Sequence, residues 1–119
     1  MYLTFCMGKI HRATVTGADL DYEGSIVIDY LLAEAAGFHQ GQLVKINNLR
    51  NGVSWETYVL YGQAGKGEIM LNGPPFHHFK KGDLVIILAY GLVDIVDAKD
   101  MLPTTVFVDK DNQITSVKE

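Results

Sequence analysis

Few side chains in this 119-residue sequence have a type and spacing that could do chemistry unaided. His77-His78 invites a metal reading, yet neighbours on an extended chain point to opposite sides. The pair is poorly placed to chelate and reads better as a polar surface loop. His11 lies in the alternating run Lys9-Ile10-His11-Arg12-Ala13-Thr14-Val15-Thr16, where Lys9 and His11 share one face of a strand. On composition alone that is a solvated face. Gly24-Ser25, closing the run Asp19-Leu20-Asp21-Tyr22-Glu23-Gly24-Ser25, is in isolation an ordinary turn before a strand. Thr57 and Tyr58, taken alone, are a strand threonine and an edge-strand tyrosine. The single cysteine, Cys6, allows no intrachain disulfide and no cysteine metal cluster, and fits a small buried apolar residue. No phosphate loop, GxSxG elbow, HExxH or CxxC is present.

The elements that must position these residues are short. Segments rich in β-branched and aromatic residues recur between turn signals: Tyr2 to Met7, Ile10 to Thr16, Ser25 to Ile28, Leu43 to Asn48, Val53 to Leu60, Glu68 to Asn72, Leu84 to Val93 and Thr105 to Val108. That spacing predicts a small all-β domain, a barrel or a sandwich. One helix is expected from Asp29 to Ala36, capped by Asp29, with Leu31, Leu32, Ala35 and Ala36 on one face and Gly37 as its stop. Asn51-Gly52 predicts a two-residue hairpin turn that pairs Arg50 with Val53 and Leu49 with Ser54. The run Asp83 to Asp94 is apolar on nearly every residue, as in a strand covered on both sides, by the interior and either by another subunit or by the rest of its own chain. The tail after Ile114 is mostly polar and is expected to fray.

Composition narrows the partners. The length fits one domain, and the 48% hydrophobic fraction supplies a core, which excludes disorder as the main state. Ten Lys and Arg against fourteen Asp and Glu give a net charge of -4, leaving no broad basic face for nucleic acid or an anionic membrane. Leu84 to Val93 is about half of the ~20 residues a membrane-spanning helix needs. The start, Met1-Tyr2-Leu3-Thr4-Phe5, lacks the features of a secretory signal, so a soluble, cytoplasmic protein is expected.

The run from Gly8 to Ser25, GKIHRATVTGADLDYEGS, closely resembles the N-terminal stretch of the pyruvoyl-dependent aspartate 1-decarboxylase family. The resemblance continues in register through Ile28-Asp29, Ala35-Ala36-Gly37, Asn51-Gly52, Thr57-Tyr58, Asn72-Gly73 and Gly82-Asp83, to about Ala89. It implies a six-stranded double-psi β-barrel with short helices, residues 1–119 forming one domain, and a homotetramer with active sites between subunits. It also implies a proenzyme that cuts itself between Gly24 and Ser25 into a β chain, 1–24, and an α chain, 25–119. Gly24 has no Cβ and so permits a strained peptide whose carbonyl the Ser25 hydroxyl can attack. The family assigns oxyanion stabilisation to the threonine matched by Thr57. Ser25 would become the pyruvoyl group, which takes the substrate amine as a Schiff base and makes pyridoxal phosphate and metal unnecessary. By resemblance Tyr58 is the proton donor, Lys9 holds a substrate carboxylate, and Asn72 and Gly73 join Thr57 in binding substrate. The implied activity is a carboxy-lyase turning L-aspartate into β-alanine and CO2 for pantothenate synthesis, with the need for a separate maturation protein left open.

Four positions depart from that pattern. Ser54 stands where the family has an arginine that grips a substrate carboxylate, and a serine offers one neutral hydroxyl in exchange. Arg50 could replace it only if a bulge shifts the hairpin register. Pro74-Pro75 replaces small residues whose backbone N–H groups lie near substrate, and proline has no such donor. Asn47 stands where many members carry tryptophan. Two alternatives therefore stay open: the same machinery acting on another small amino acid or related acid, and an unprocessed barrel serving as a binding protein.

Overall fold

The computed structural model describes residues 1–74 and 77–119. Its elements run β1 (Tyr2–Thr14), β2 (Gly17–Asp19), β3 (Ser25–Asp29), α1 (Tyr30–Ala36), β4 (Leu43–Asn48), β5 (Ser54–Gly62), β6 (Ile69–Asn72), β7 (Leu84–Asp94), α2 (Ile95–Ala98), β8 (Thr104–Val108) and β9 (Ile114–Lys118). The chain is thus mostly strand, as its β-branched spacing predicts, with the expected helix α1 and a second short helix, α2, that the spacing does not predict. The strands form one sheet in the order β2-β6-β3-β5-β4-β7-β1-β8-β9. Three of its pairings are parallel, β1 with β8, β2 with β6 and β3 with β5. No helix among the described residues is long and apolar enough to cross a membrane.

Residues from eight of the nine strands and from α1 meet in one core, led by Ile10, Ile26, Ile28, Leu32, Ile46, Val59, Ile69, Leu71, Val85, Ile87 and Val106. Fully burying a side chain of this size contributes ~1.5–3 kcal/mol, so this core is the main reason the sheet folds over itself. The segments Tyr2 to Met7 and Ile10 to Thr16 are a single strand, broken in register at Cys6/Gly8 and Ile10/Ala13. The second break places Arg12 in the left-handed region at φ 61.

Helix α1 starts where expected: the Asp29 carboxylate accepts from Leu31 N at 2.8 Å. It stops at Gly37, φ 76, whose N–H reaches Glu34 O while Phe38 N reaches Ala33 O at 2.8 Å. This closes the helix with a left-handed residue and a buried aromatic. The buried face differs from the expected one: Leu32, Ala33 and Ala36 point inward, and Leu31 is exposed. Asp29 is tied down by Gly65 N and Gly67 N, and the helix is rotated by about a fifth of a turn from the periodicity reading, keeping Leu32 and Ala36 inward and exchanging Leu31 for Ala33.

The β4–β5 hairpin also differs. Asn47 faces Ser54, and Asn48 N donates to Val53 O, so the loop is the four residues Leu49 to Gly52. Only Gly52 has positive φ, at 74. Asn51 instead accepts from Val53 N through its side chain, which makes the two-residue turn unnecessary. The tail is strand β9, every residue of it exposed, held by pairing with β8.

Candidate active site at Gly24–Ser25

Strand β6 determines the geometry of this region. Its residue Asn72 is the register partner of Asp19 on one side and of Ser25 on the other. The five residues from Leu20 to Gly24 must therefore loop around the end of β6, across two strand spacings of ~4.8 Å each. Asp19 starts the loop, its carboxylate accepting from Asp21 N at 3.0 Å and its carbonyl from Gly73 N at 2.6 Å. Gly73, at φ 67, fills the inside of the loop. A Cβ there would lie 2.5 Å from Tyr22 O and 3.1 Å from Gly24 N. No other residue fits without moving the Gly24 peptide.

Ser25 is 3% exposed, and its Oγ accepts from Asn72 Nδ2 at 3.1 Å. Strands β3 and β5 run parallel with Ile26 beside Val59. One step back in that register Ser25 stands beside Tyr58, and two steps back Gly24 stands beside Thr57. The side chains agree: a carbon added at Gly24 would lie 3.8 Å from Thr57 Oγ1 and 3.9 Å from Trp55 Cζ2. Thr57 is buried and points to the Gly24 side, whereas Tyr58, 40% exposed, projects on the face that carries Ser25 and Asn72.

One chain therefore brings together Gly24, Ser25, Thr57, Tyr58, Asn72 and Gly73. Two expected members stand apart. Ser54 is on the Tyr58 face, four residues and ~13 Å along β5, and its hydroxyl donates to Asn47 Oδ1. Two positions that depart from the family pattern are thus hydrogen-bonded to each other. Lys9 lies on β1, four strands along the sheet from β3, between Leu88 and Thr105. It borders a surface hollow with Leu102, Pro103, Thr105, Lys118 and Glu119. Pro74 is buried beside Gly73, and Pro75 lies outside the described residues.

Arg50 is not free to replace the missing arginine. Its Nε and Nη2 grip both oxygens of the buried Asp83 carboxylate, at 2.8 and 3.0 Å. That fork, with Asn48 and Lys80 N donating as well, holds the Asp83 carboxyl down at about 2. The sequence shows Arg50 and Asp83 only as two residues 33 apart; the Asn48-x-Arg50-Asn51 cluster of donors was the available signal. His11 packs edge-on against Phe107, and burial, helped by Lys9 and Arg12, lowers its pKa. His77 and His78 are exposed turn residues. Among the described residues no three His, Cys, Asp or Glu side chains gather as a metal site.

Comparison with known proteins agrees with this geometry. The family described as aspartate decarboxylase matches residues 1–115. The aspartate 1-decarboxylase of Acetivibrio thermocellus is 47% identical over 99% of this chain and 94% of its own length. That of Carboxydothermus hydrogenoformans is 47% identical over 100% and 94%. That of Syntrophus aciditrophicus is 54% identical over 89% and 91%. With its Gly24–Ser25 loop closed around Asn72 and Gly73, and with likeness of this extent, the chain belongs to the aspartate decarboxylase family.

Proposed function

We propose that this protein is a carboxy-lyase that converts L-aspartate to β-alanine and CO2 after cutting its own chain between Gly24 and Ser25. The observation that carries the reading is the enclosure of that one peptide bond. Ser25 Oγ is buried against Asn72, Thr57 Oγ1 faces Gly24, and Gly73 leaves room for the loop only because it has no side chain.

In the cut, Ser25 Oγ bonds to the Gly24 carbonyl carbon and the C–N bond breaks, the nitrogen taking the hydroxyl proton. Thr57 Oγ1 is placed to donate to the oxyanion formed on the way. Loss of the Ser25 α-proton then expels Gly24 as a carboxylate, and one water replaces the nitrogen, which leaves as ammonia. The resulting chains are 1–24 and 25–119.

A pyruvoyl group at position 25 would be carried by β3 between Asn72 and Tyr58, which flank Ser25 on either side. Such a group supplies a ketone for the substrate amine and a conjugated carbonyl that accepts the electrons left by departing CO2. Asn72 orients the substrate from one side. Tyr58, next to Ser25 on the same face, gives the proton to the carbon that has lost CO2. Lys9 holds a substrate carboxylate. Because it lies four strands away in its own chain, it is supplied by a neighbouring copy in a homotetramer. Exposed Leu92, Val96 and Leu102 give that assembly apolar surface to cover. The fold this reading implies is the six-stranded double-psi β-barrel, supported by the parallel β3–β5 and β2–β6 pairs joined through the antiparallel β3–β6 pair. The expected location is the cytoplasm. Whether maturation needs a helper protein is settled by cutting of the purified chain alone.

Ser54 and Pro74 favour a second reading of the substrate, because each removes a donor near the carboxylate side. The same machinery would then prefer another small amino acid or related acid. Intact-mass spectrometry followed by decarboxylation assays over a panel of amino acids tests both. Fragments ending at Gly24 and beginning with pyruvoyl are expected. A chain that stays whole after prolonged warming, with and without cell extract, refutes the enzyme and leaves the unprocessed binding protein. Light scattering should give a tetramer, and a stable micromolar monomer would remove the source of Lys9.

A further inference from the structure

A polar cluster that the proposed chemistry does not use is linked to Gly24 through Phe79 and Trp55. Asp83 is 5% exposed, and its two oxygens accept four hydrogen bonds, from Arg50 Nε and Nη2, Asn48 Nδ2 and Lys80 N, at 2.8 to 3.0 Å. Beside it, His78 O accepts from Asn48 Nδ2 at 2.8 Å and Asn51 Nδ2 at 2.9 Å. The residue after His78 is Phe79, buried in the core, and its ring stands 6.1 Å from that of Trp55. Trp55 in turn presents Cζ2 to Gly24. A glycine offers no side chain to grip, so the walls around it set the direction of its carbonyl. Gly73 is one wall, and the Trp55 and Thr57 pair is the other.

We propose that the Arg50–Asp83 clamp is a positioning device for the Gly24–Ser25 bond: by fixing His78 and Phe79 it seats Trp55 against Gly24, and so sets the rate of self-cleavage. A guanidinium fork on a carboxylate fixes direction as well as distance, which a single hydrogen bond does not. As a source of stability alone a partly buried ion pair is poor, since desolvation offsets most of its attraction. The proposal rests on the reading of Gly24–Ser25 as a self-cleaving bond, and it concerns the cut and not turnover by the cut enzyme.

The test follows cleavage against time by intact mass in the full-length chain, with thermal midpoint and kcat per cut chain measured alongside. Arg50→Met should slow cleavage about tenfold or more, the scale on which small misplacements of reacting groups act. The kcat per cut chain should stay unchanged. Arg50→Lys, which keeps the charge and loses the fork, should fall between. Trp55→Ala should also slow cleavage, and the double variant should be no slower than the slower single, because both act through one contact path. Asn112→Ala is the control. Asn112 is buried, ties Thr14 to Gly67 and lies away from Gly24. It should lower the midpoint without slowing the cut. Wild-type rates in Arg50→Met and Arg50→Lys, multiplying effects in the double variant, or slowing in Asn112→Ala that matches its lost stability would each overturn the clamp. Wild type that never cuts overturns the reading beneath it as well, and the unsubstituted sample alone reveals that case.

Discussion

The middle and the start of the β5 strand solve opposite problems. At Thr57 and Tyr58 the strand faces a loop held by the Asn72 amide, by Gly73 and by the carbonyl and carboxylate of Asp19. Its geometry is complete in one chain. At Ser54 the same strand carries a small hydroxyl that is occupied by Asn47, and the matched cation, Lys9, sits on a distant strand. On the proposed reading, forming the reactive group is a problem of local conformation, whereas choosing a substrate is a problem of long-range charge placement. The first can be encoded in a few consecutive residues and a glycine. The second depends on which surfaces an assembly brings together.

That contrast should break most visibly at Ser25. Ser25→Ala removes the nucleophile, and mass spectrometry should find one uncut chain, with turnover lost entirely. Lys9→Ala should do the reverse. Cleavage should go to completion, while decarboxylation by the cut protein falls below detection, because no other matched cation remains to orient a carboxylate. Ser54→Arg tests the charge side from the other direction. A charge-assisted hydrogen bond contributes ~1.5–3 kcal/mol, so kcat/KM for aspartate should rise roughly ten- to a hundredfold with no change in the cleavage rate. An unchanged kcat/KM beside full wild-type aspartate turnover would show that a different group already holds that carboxylate. The smallest effect concerns Asp83. Its carboxyl is depressed from 3.8 to about 2, chiefly by Arg50, so the ion pair contributes stability above the unfolded value. That contribution is lost as pH falls through the folded one. The thermal midpoint should therefore drop between pH 4 and 2, and Asp83→Asn should flatten that part of the curve.

Much of this was legible from residues near one another in sequence. The helix after Asp29 and its stop at Gly37 follow from capping chemistry that acts within four residues, and the β-branched segments mark the strands. The motif residues from Gly24 to Gly73 come together because β6 pairs with both β2 and β3. What failed depended on competition between distant groups. The Asn51-Gly52 signal suits a two-residue turn, but Asn48, Arg50 and Asn51 are drawn to Asp83 and to His78 O, and this widens the loop to four residues. Leu31 has the spacing of a buried residue, yet Gly65 and Gly67 fix Asp29 and turn the helix. The polar tail reads as frayed because none of its side chains is buried; backbone pairing with β8 leaves no hydrophobic trace.

The position of β1 has a consequence for what the proposed cut does to the molecule. This thirteen-residue strand lies inside the sheet, between β7 and β8, and belongs wholly to the 1–24 piece. Before the cut, the tether at Gly24 keeps β1 near its partners at an effective concentration on the order of millimolar. Afterwards reassembly from the denatured state would become an encounter between separate molecules. The native form then persists through the slowness of its unfolding, and its recovery after denaturation depends on dilution. The proposed cut would thus change how the native form is regained as well as the chemistry it can do.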